Sequence, residues 1–287
     1  MYLSRIRLRD EISSGSQLAR VLHNHSYSYH QLLWDLFDHQ QRDFLFRKDV
    51  SKNNDGAKNA PAFFMLSQQQ PSQSSPLFSV ETKPFNLALE KDQILRFNLC
   101  ANPVVSRNRK RFDVIEDETY RFYHNALNEF GLSVEGKPKE LKARLKGVNK
   151  TELSTFLDDQ LKASRYVFSL SELSVTQKLH NAMMESIALR LQRWLADNPS
   201  RQGVFELCTR ELEDEETGLE ATVTDFGWDN HQCNLLHEKG SKAKYYSVEL
   251  QGRLRVMDPE RFSLMLSKGI GPSKSFGCGL MLVKPAL

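Results

Sequence analysis

The chain has 287 residues, 40% of them hydrophobic and 26% charged, with a formal net charge of +3. No run of eighteen apolar residues occurs, which excludes a membrane-spanning helix, and the length allows two domains with separate cores. The four cysteines (Cys100, Cys208, Cys233, Cys278) contain no CxxC pair, which argues against a disulfide or zinc framework and for reduced thiols in a cytoplasmic protein.

The opening "MYLSRIRLRDE" alternates apolar and basic residues and reads as a strand over residues 2 to 9, not as a signal peptide. A helix is expected from Tyr29 to His39, with Leu32, Leu33, Leu36 and Phe37 on one face. "RDFLFRKDV" (42 to 50) reads as a second strand, "SKNNDGAKNA" as a loop, and "PAFFMLSQQ" as a third strand. "QQQPSQSSP" is a polar spacer. After a short irregular piece, "QILRFNLCANP" reads as a fourth strand, stopped by Asn102 and Pro103. Strand, helix, strand, strand, strand suits a ferredoxin-like sheet, the architecture also of RNA-recognition motifs.

The second half repeats that order. A basic strand is expected over 107 to 114 and a long helix over 176 to 197, where Leu179, Met183, Ile187, Leu191 and Leu195 recur every four residues. Strands follow at "GVFELCTREL" and at 245 to 258, "YYSVELQGRLRVMD", with period-two alternation. "DPERFSLMLSKGIG" opens with Asp258 as N-cap and Pro259 at the first helical position, and closes at Gly269. "GCGLMLVKP" is a last, glycine-led strand. The expected fold class is α+β, two ferredoxin-like domains in tandem: residues 1–99, then 100–287 with a charged helical insertion at 115–174.

"GIGPSKSFGCGL" (269 to 280) places four glycines and a lysine between a helix and a strand. It lacks the spacing of a Walker loop and the context of GxGxxG, so by itself it is a tight turn or a place where backbone approaches a ligand. It stands with "YLSRIRL", "YHQLLWDLF", "RDFLFR", "LCANP" and "DPERF", in that order along the chain. In combination these segments resemble the CasE family, the endoribonuclease subunit of the type I-E CRISPR Cascade complex, a member of the RAMP superfamily. The resemblance covers roughly residues 1 to 112 and 176 to 287.

That resemblance implies tandem ferredoxin-like domains and cleavage of precursor CRISPR RNA within its repeat, without a metal or other cofactor. A ribose 2′-hydroxyl would attack, leaving a 2′,3′-cyclic phosphate and a 5′-hydroxyl. Such chemistry needs a base, an acid and cations around the phosphate, and histidine suits the first two because its pKa lies near neutrality. His30 matches the family's histidine, and Tyr27 a tyrosine some members carry three residues earlier. Read alone, His30 would be a capping or packing residue. Tyr29 is a lesser candidate, facing elsewhere. The resemblance further implies phosphate contact by Lys274 with the backbone N–H groups of Gly271 and Ser275. RNA-backbone contact is implied for Arg107, Arg109, Lys110 and Arg111. Some relatives carry a lysine two residues after the "ANP" proline, where this chain has Val105. Expected partners are the CRISPR repeat hairpin and other Cascade subunits, both backbone and RNA-capping proteins, with no membrane.

Metal binding by His23, His25 and His30, or by His231, Cys233 and His237, is disfavoured because neither set has a recognisable ligand spacing. The acidic run "ELEDEETGLE" reads as a solvated face. Within the insertion, "LNEFGLSVEGKPKELKARLKG" sets Leu127, Phe130, Leu132, Leu141 and Leu145 against Lys137, Lys139, Lys142, Arg144 and Lys146. This fits a plain helical hairpin, and it resembles the SAP module that binds DNA; residues 115–174 would then contact nucleic acid or a neighbouring subunit. Two readings of the whole remain: an endoribonuclease that stays on its product hairpin, or a non-catalytic hairpin-binding subunit in which His30 packs. A metal-dependent nuclease would need clustered carboxylates that the chain lacks.

Overall fold

The computed structural model describes residues 1–9, 26–38, 43–49, 62–214, 218–236 and 243–286, with backbone alone for 26–28. The described chain forms two compact units. One comprises Met1–Asn102, Asp229–Gln251 and Val256–Leu287; the other comprises Pro103–Trp228 with Gly252–Arg255. This division differs from a cut between residues 99 and 100.

The first unit holds two sheets. β1 (Tyr2–Leu8), β2 (Phe44–Lys48), β3 (Ala62–Ser67) and β4 (Phe78–Pro84) pair in the order β2-β3-β1-β4. β1 runs antiparallel to both β3 and β4, with Ile6 opposite Phe63 and Val80. Counted along the chain, these strands stand 4-1-3-2 across the sheet, as a ferredoxin-like domain requires. α1 (Ser26–Trp34) joins β1 to β2 in sequence. It contributes Leu33, and the turn after it Leu36, to a core with Ile6, Leu8, Phe44, Phe46, Phe63, Met65 and Phe78.

Three expectations are corrected here. The helix ends at Trp34, because Leu36 and Phe37 hydrogen-bond back to Leu33 and Trp34 in tight turns, at 3.3 and 3.0 Å. The fourth strand of this sheet is Phe78–Pro84, which the polar sequence and its terminal proline concealed. The strand read as fourth, β5 (Ile94–Ala101), belongs to the second sheet. There it pairs with the final strand, with Leu99 opposite Met281 and Phe97 opposite Val283.

That second sheet carries β11 (Phe226–Leu235), β12 (Lys244–Val256), β5 and β13 (Met281–Pro285) in the order β11-β12-β5-β13, again 4-1-3-2 once the fifth strand, which pairs with β12 off this path, is set aside. β6 (Val104–Arg107), β7 (Lys110–Asp113), β8 (Phe205–Leu207), β9 (Thr209–Glu213) and β10 (Glu220–Thr224) complete the strands. The fold is therefore α+β with tandem ferredoxin-like sheets. Leu45, Leu66 and Leu280 are buried together where the two sheets of the first unit meet, flanked by Met1, Phe64, Phe85 and Leu282. A second tie is polar. Arg47, 4% exposed, donates to Glu249 Oε2 at 2.8 Å and to Asn98 Oδ1 at 2.6 Å.

The second unit is built around helices: α2 (Val114–Glu129), α3 (Pro138–Leu145), α4 (Lys150–Leu161) and α5 (Val175–Ala196). Its helices start where capping chemistry allows. Asp113 accepts from the Ile115 and Glu116 amides, Asn149 from those of Thr151 and Glu152, and Ser174 and Gln177 form a capping box. Leu127, Leu141, Leu145, Leu153, Leu157 and Leu161 are fully buried in its core. Each of these buried leucines contributes about 1.5–3 kcal/mol to that core. In place of a basic strand over 107 to 114 there is a hairpin. β6 and β7 pair antiparallel about Asn108 and Arg109, whose φ values of 49° and 62° make a left-handed two-residue turn.

α6 (Pro259–Lys268) follows the expected pattern: Asp258 accepts from the Arg261 amide at 3.0 Å, and Gly269 leaves the helix at φ 72°. No helix among the described residues is long and apolar enough to cross a membrane.

Candidate functional site

The glycine-rich loop lies against β2 and α1, within the first unit. Both elements pack on the 3-10 turn Lys274–Phe276. Two glycines with positive φ border this contact. A Cβ on Gly269 would stand 2.8 Å from Leu45 Cδ1, and one on Gly277 would stand 3.5 Å from the Phe46 ring, with φ 72° and 89° at the two positions. Ser273 adopts the left-handed region too, φ 61°, and its hydroxyl accepts from Asn102 Nδ2 at 2.7 Å. Asn102 of "LCANP" is thus a loop anchor as well as a strand terminator. Below the turn, the Phe276 ring stacks on Tyr245 at 4.9 Å.

The Lys274 ammonium donates to the Lys268 carbonyl at 2.6 Å, capping the C-terminus of α6, where a cation is favoured. Gly271 has φ 78° and, with Ser275, is half-buried in the same loop. Beneath it, the Cys100 thiol hydrogen-bonds to that of Cys278 and, with burial, pushes the Cys278 thiol well above its ordinary range. The Cys278 sulfur is therefore a neutral thiol, not a nucleophile.

His30 sits on α1 and its ring is 6% exposed. Phe44 stacks on it at 5.4 Å, Trp34 meets it edge-on at 5.3 Å and Phe46 tilts against it at 6.1 Å. Phe46 is shared: the imidazole lies on one side, and Gly277 approaches the same ring. The structure therefore brings His30 and the glycine loop to one aromatic residue. Tyr29 turns away, its ring 5.1 Å from Phe63, and burial raises its hydroxyl pKa. The Tyr27 side chain, and His23 and His25, lie outside the described residues.

The four basic residues near 107 divide into two kinds. Arg107 pairs with Asp117 on α2 and covers the Phe112 ring at 5.3 Å. Arg109, Lys110 and Arg111 project from the hairpin, exposed, with no ion pair among the described residues. His231 stacks on Tyr246 at 5.2 Å, while His237 lies outside the described residues. Among the described residues no three His, Cys, Asp or Glu side chains gather as metal ligands would.

Sequence reasoning missed Arg47, Asn98, Glu249 and Asn102 as the polar frame of this site. The signal for Arg47 was present, since "FLFRK" sets a cation in step with Leu45, on the face opposite Phe44 and Phe46.

A family model described as CRISPR associated protein matches residues 1–285. Over 48 residues the chain is 44% identical to the CRISPR-associated endoribonuclease Cse3 of Thermus thermophilus, a stretch spanning 17% of this chain and 23% of that relative. The fold is similar to that of Thermus thermophilus Cse3 bound to an RNA representing a pre-cleavage complex, with TM-score 0.55 and 20% identity over 99% of this chain and 98% of that one. It is also similar to a CRISPR-associated protein from the same organism, with TM-score 0.51 and 22% identity over 99% of this chain and 100% of that one. With the motif order of the sequence and the paired 4-1-3-2 sheets in agreement, the chain belongs to the CRISPR-associated protein family.

Proposed function

We propose that the chain is an endoribonuclease that cleaves precursor CRISPR RNA within the repeat, needs no metal, and stays bound to the 3′ hairpin as a Cascade subunit. The observation that carries this reading is the meeting of His30 and the glycine loop at Phe46. Arg109, Lys110 and Arg111 bind the RNA backbone, and the loop, through Lys274 and the amides of Gly271 and Ser275, holds the scissile phosphate. The 2′-oxygen attacks phosphorus as its proton passes to a base. The P–O5′ bond breaks, and the departing 5′-oxygen takes a proton from an acid. His30 and Tyr27 share these two tasks, one proton each, so the products are a 2′,3′-cyclic phosphate and a 5′-hydroxyl. Each such group contributes about 10²–10⁴ in rate.

A second reading is favoured by one specific observation, the burial of the His30 ring among Trp34, Phe44 and Phe46. There the chain is a hairpin-binding subunit of a Cascade-like complex and the histidine is part of the core. Purified protein with repeat RNA in EDTA separates the two. Cleavage by the wild type, lost by at least 10²-fold in His30→Ala with RNA affinity kept, is the expected result. No cleavage by the wild type establishes the binding subunit in its place, and cleavage abolished by EDTA overturns metal independence.

A further inference from the structure

Within the second unit, α2 and α5 pack side by side and leave a polar groove of about 300 Å³ between them. Glu118, Arg121 and Asn125 line it from α2; Ser186, Arg190 and Arg193 line it from α5. The spacings 118–121–125 and 186–190–193 put each trio on one helix face. Three guanidiniums therefore meet one carboxylate in a single concavity, and that carboxylate is engaged. Glu118 accepts from the Ser186 hydroxyl at 2.7 Å and stands 4.0 Å from Arg190 Nε. Arg190 Nε is buried and makes no hydrogen bond among the described residues. Arg121 and Arg193 are exposed and make no ion pair among the described residues.

The groove is continuous with the basic hairpin. β7 runs directly into α2 through Asp113; Arg107 pairs with Asp117 one turn before Arg121; and Trp194 Nε1, next to Arg193, donates to the Val104 carbonyl of β6 at 3.2 Å. At 1.5 Å per residue, Arg121 lies about 12 Å along α2 from the hairpin's base.

We infer that the α2/α5 groove binds the phosphate backbone of the RNA strand beyond the segment held by Arg109, Lys110 and Arg111, with Arg121 and Arg193 as the phosphate ligands and Asn125 as a neutral donor. This rests on the RNA-binding part of the proposed function, not on its chemistry. Guanidinium forks match phosphate oxygens in pairs, and unpaired surface arginines at a groove favour a polyanion over a compact neutral ligand. Because the contacts are to phosphate, the groove reads no bases.

The test is the salt dependence of binding by the full chain, using repeat RNA with a single-stranded extension and a 2′-deoxy substitution at the cut. Each single-strand phosphate contact contributes about 0.7 to the slope of log K against log salt, so Arg121→Gln/Arg193→Gln should lower it by about 1.4. Arg121→Lys/Arg193→Lys should keep the slope, since charge is retained, and thermal melts should match the wild type because both side chains are exposed. A Gln variant with unchanged slope, or a wild type that binds no repeat RNA, overturns the inference. So does a duplex DNA of equal length that competes better than RNA for wild type but not for the Gln variant. Cleavage of unmodified RNA is measured separately on the wild type. If cleavage is absent while the slope still falls, the groove stands and the nuclease reading fails.

Discussion

Arg47→Met should be among the most damaging single substitutions in the first unit. Arg47 is 4% exposed and Glu249 15%, and their 2.8 Å contact is joined by bonds from the same guanidinium to the side chain and carbonyl of Asn98, at 2.6 and 3.2 Å. Methionine fills most of the volume but supplies no donor. Glu249 is then left as a buried charge without its cation, a loss measured elsewhere at about 3–5 kcal/mol. The two Asn98 oxygens also lose a donor, at roughly 1–3 kcal/mol for a group left wholly unsatisfied, and these costs overlap instead of adding. Against a total stability of about 5–15 kcal/mol, the single variant loses a large fraction. Arg47→Met/Glu249→Leu removes both charges, and replacement of a buried pair by apolar groups is commonly neutral or stabilising. Equilibrium urea unfolding of the wild type, both singles and the double gives the coupling. A single variant costing under about 1 kcal/mol, or a double as damaged as the single, would refute the claim that an uncompensated charge is what hurts.

Gly269→Ala should cost more than Gly131→Ala: both have positive φ, 72° and 64°, but the new methyl meets Leu45 at 2.8 Å at the first and nothing within 4 Å at the second. At Gly269 the backbone itself, φ 72° and ψ 159°, lies in a region essentially confined to glycine and adds to the contact, so equal losses in urea melts would remove both arguments. Glu185→Gln should stabilise at neutral pH, because burial raises the Glu185 pKa above 4.5 against the weaker opposite pull of Arg165. A raised carboxyl favours the folded state below the unfolded pKa and loses that advantage as pH climbs through the folded one. The benefit of glutamine should therefore shrink as unfolding is measured from pH 7 down to pH 4. Finally, Leu141→Ala, at a fully buried position in the helical core, should cost about 2–5 kcal/mol. Hydrogen exchange should show the loss in α2–α5 and leave β1–β4 protected.

What the sequence disclosed depended on whether one physical signal dominated locally. Asp258–Pro259 and Gly269 fix both ends of α6 by capping and backbone chemistry, so that helix was legible to the residue. The glycine loop was legible for a similar reason, since the positive φ of 89° at position 277 favours glycine. β4 was not legible. Its apolar residues are few, because one face of an edge strand meets solvent, and its burial falls from Phe78 to an exposed Pro84. Ile94–Ala101 was recognised as a strand but assigned to the wrong sheet, since alternation reports a pleat and is silent about which neighbour completes it. The site divides in the same way. His30 and Lys274 entered the proposed site by motif, whereas Arg121, Arg190 and Arg193 come together only once α2 and α5 pack.

The small net charge illustrates why a sum over residues says little about what a surface binds. A charge of +3 over 287 residues looks neutral to a polyanion. The fold, however, spends its acids unevenly. Asp117 is taken by Arg107, Glu249 by Arg47, Asp158 by Lys178 and Asp225 by Arg253. Each pair cancels itself at short range and adds almost nothing to the field a Debye length away, about 8 Å at physiological salt. Arg109, Lys110, Arg111, Arg121 and Arg193 are left without acidic partners among the described residues, and all five belong to the β6–β7 hairpin and the α2/α5 groove it leads into. The proposed phosphate backbone would meet that local excess, not the mean. Reversing Asp117 to lysine would test the point from the other side: it frees Arg107, adds positive charge beside the proposed track, and should steepen the salt dependence of RNA binding, while Asp225→Asn, which breaks a pair lining neither the hairpin nor the groove, should leave it unchanged.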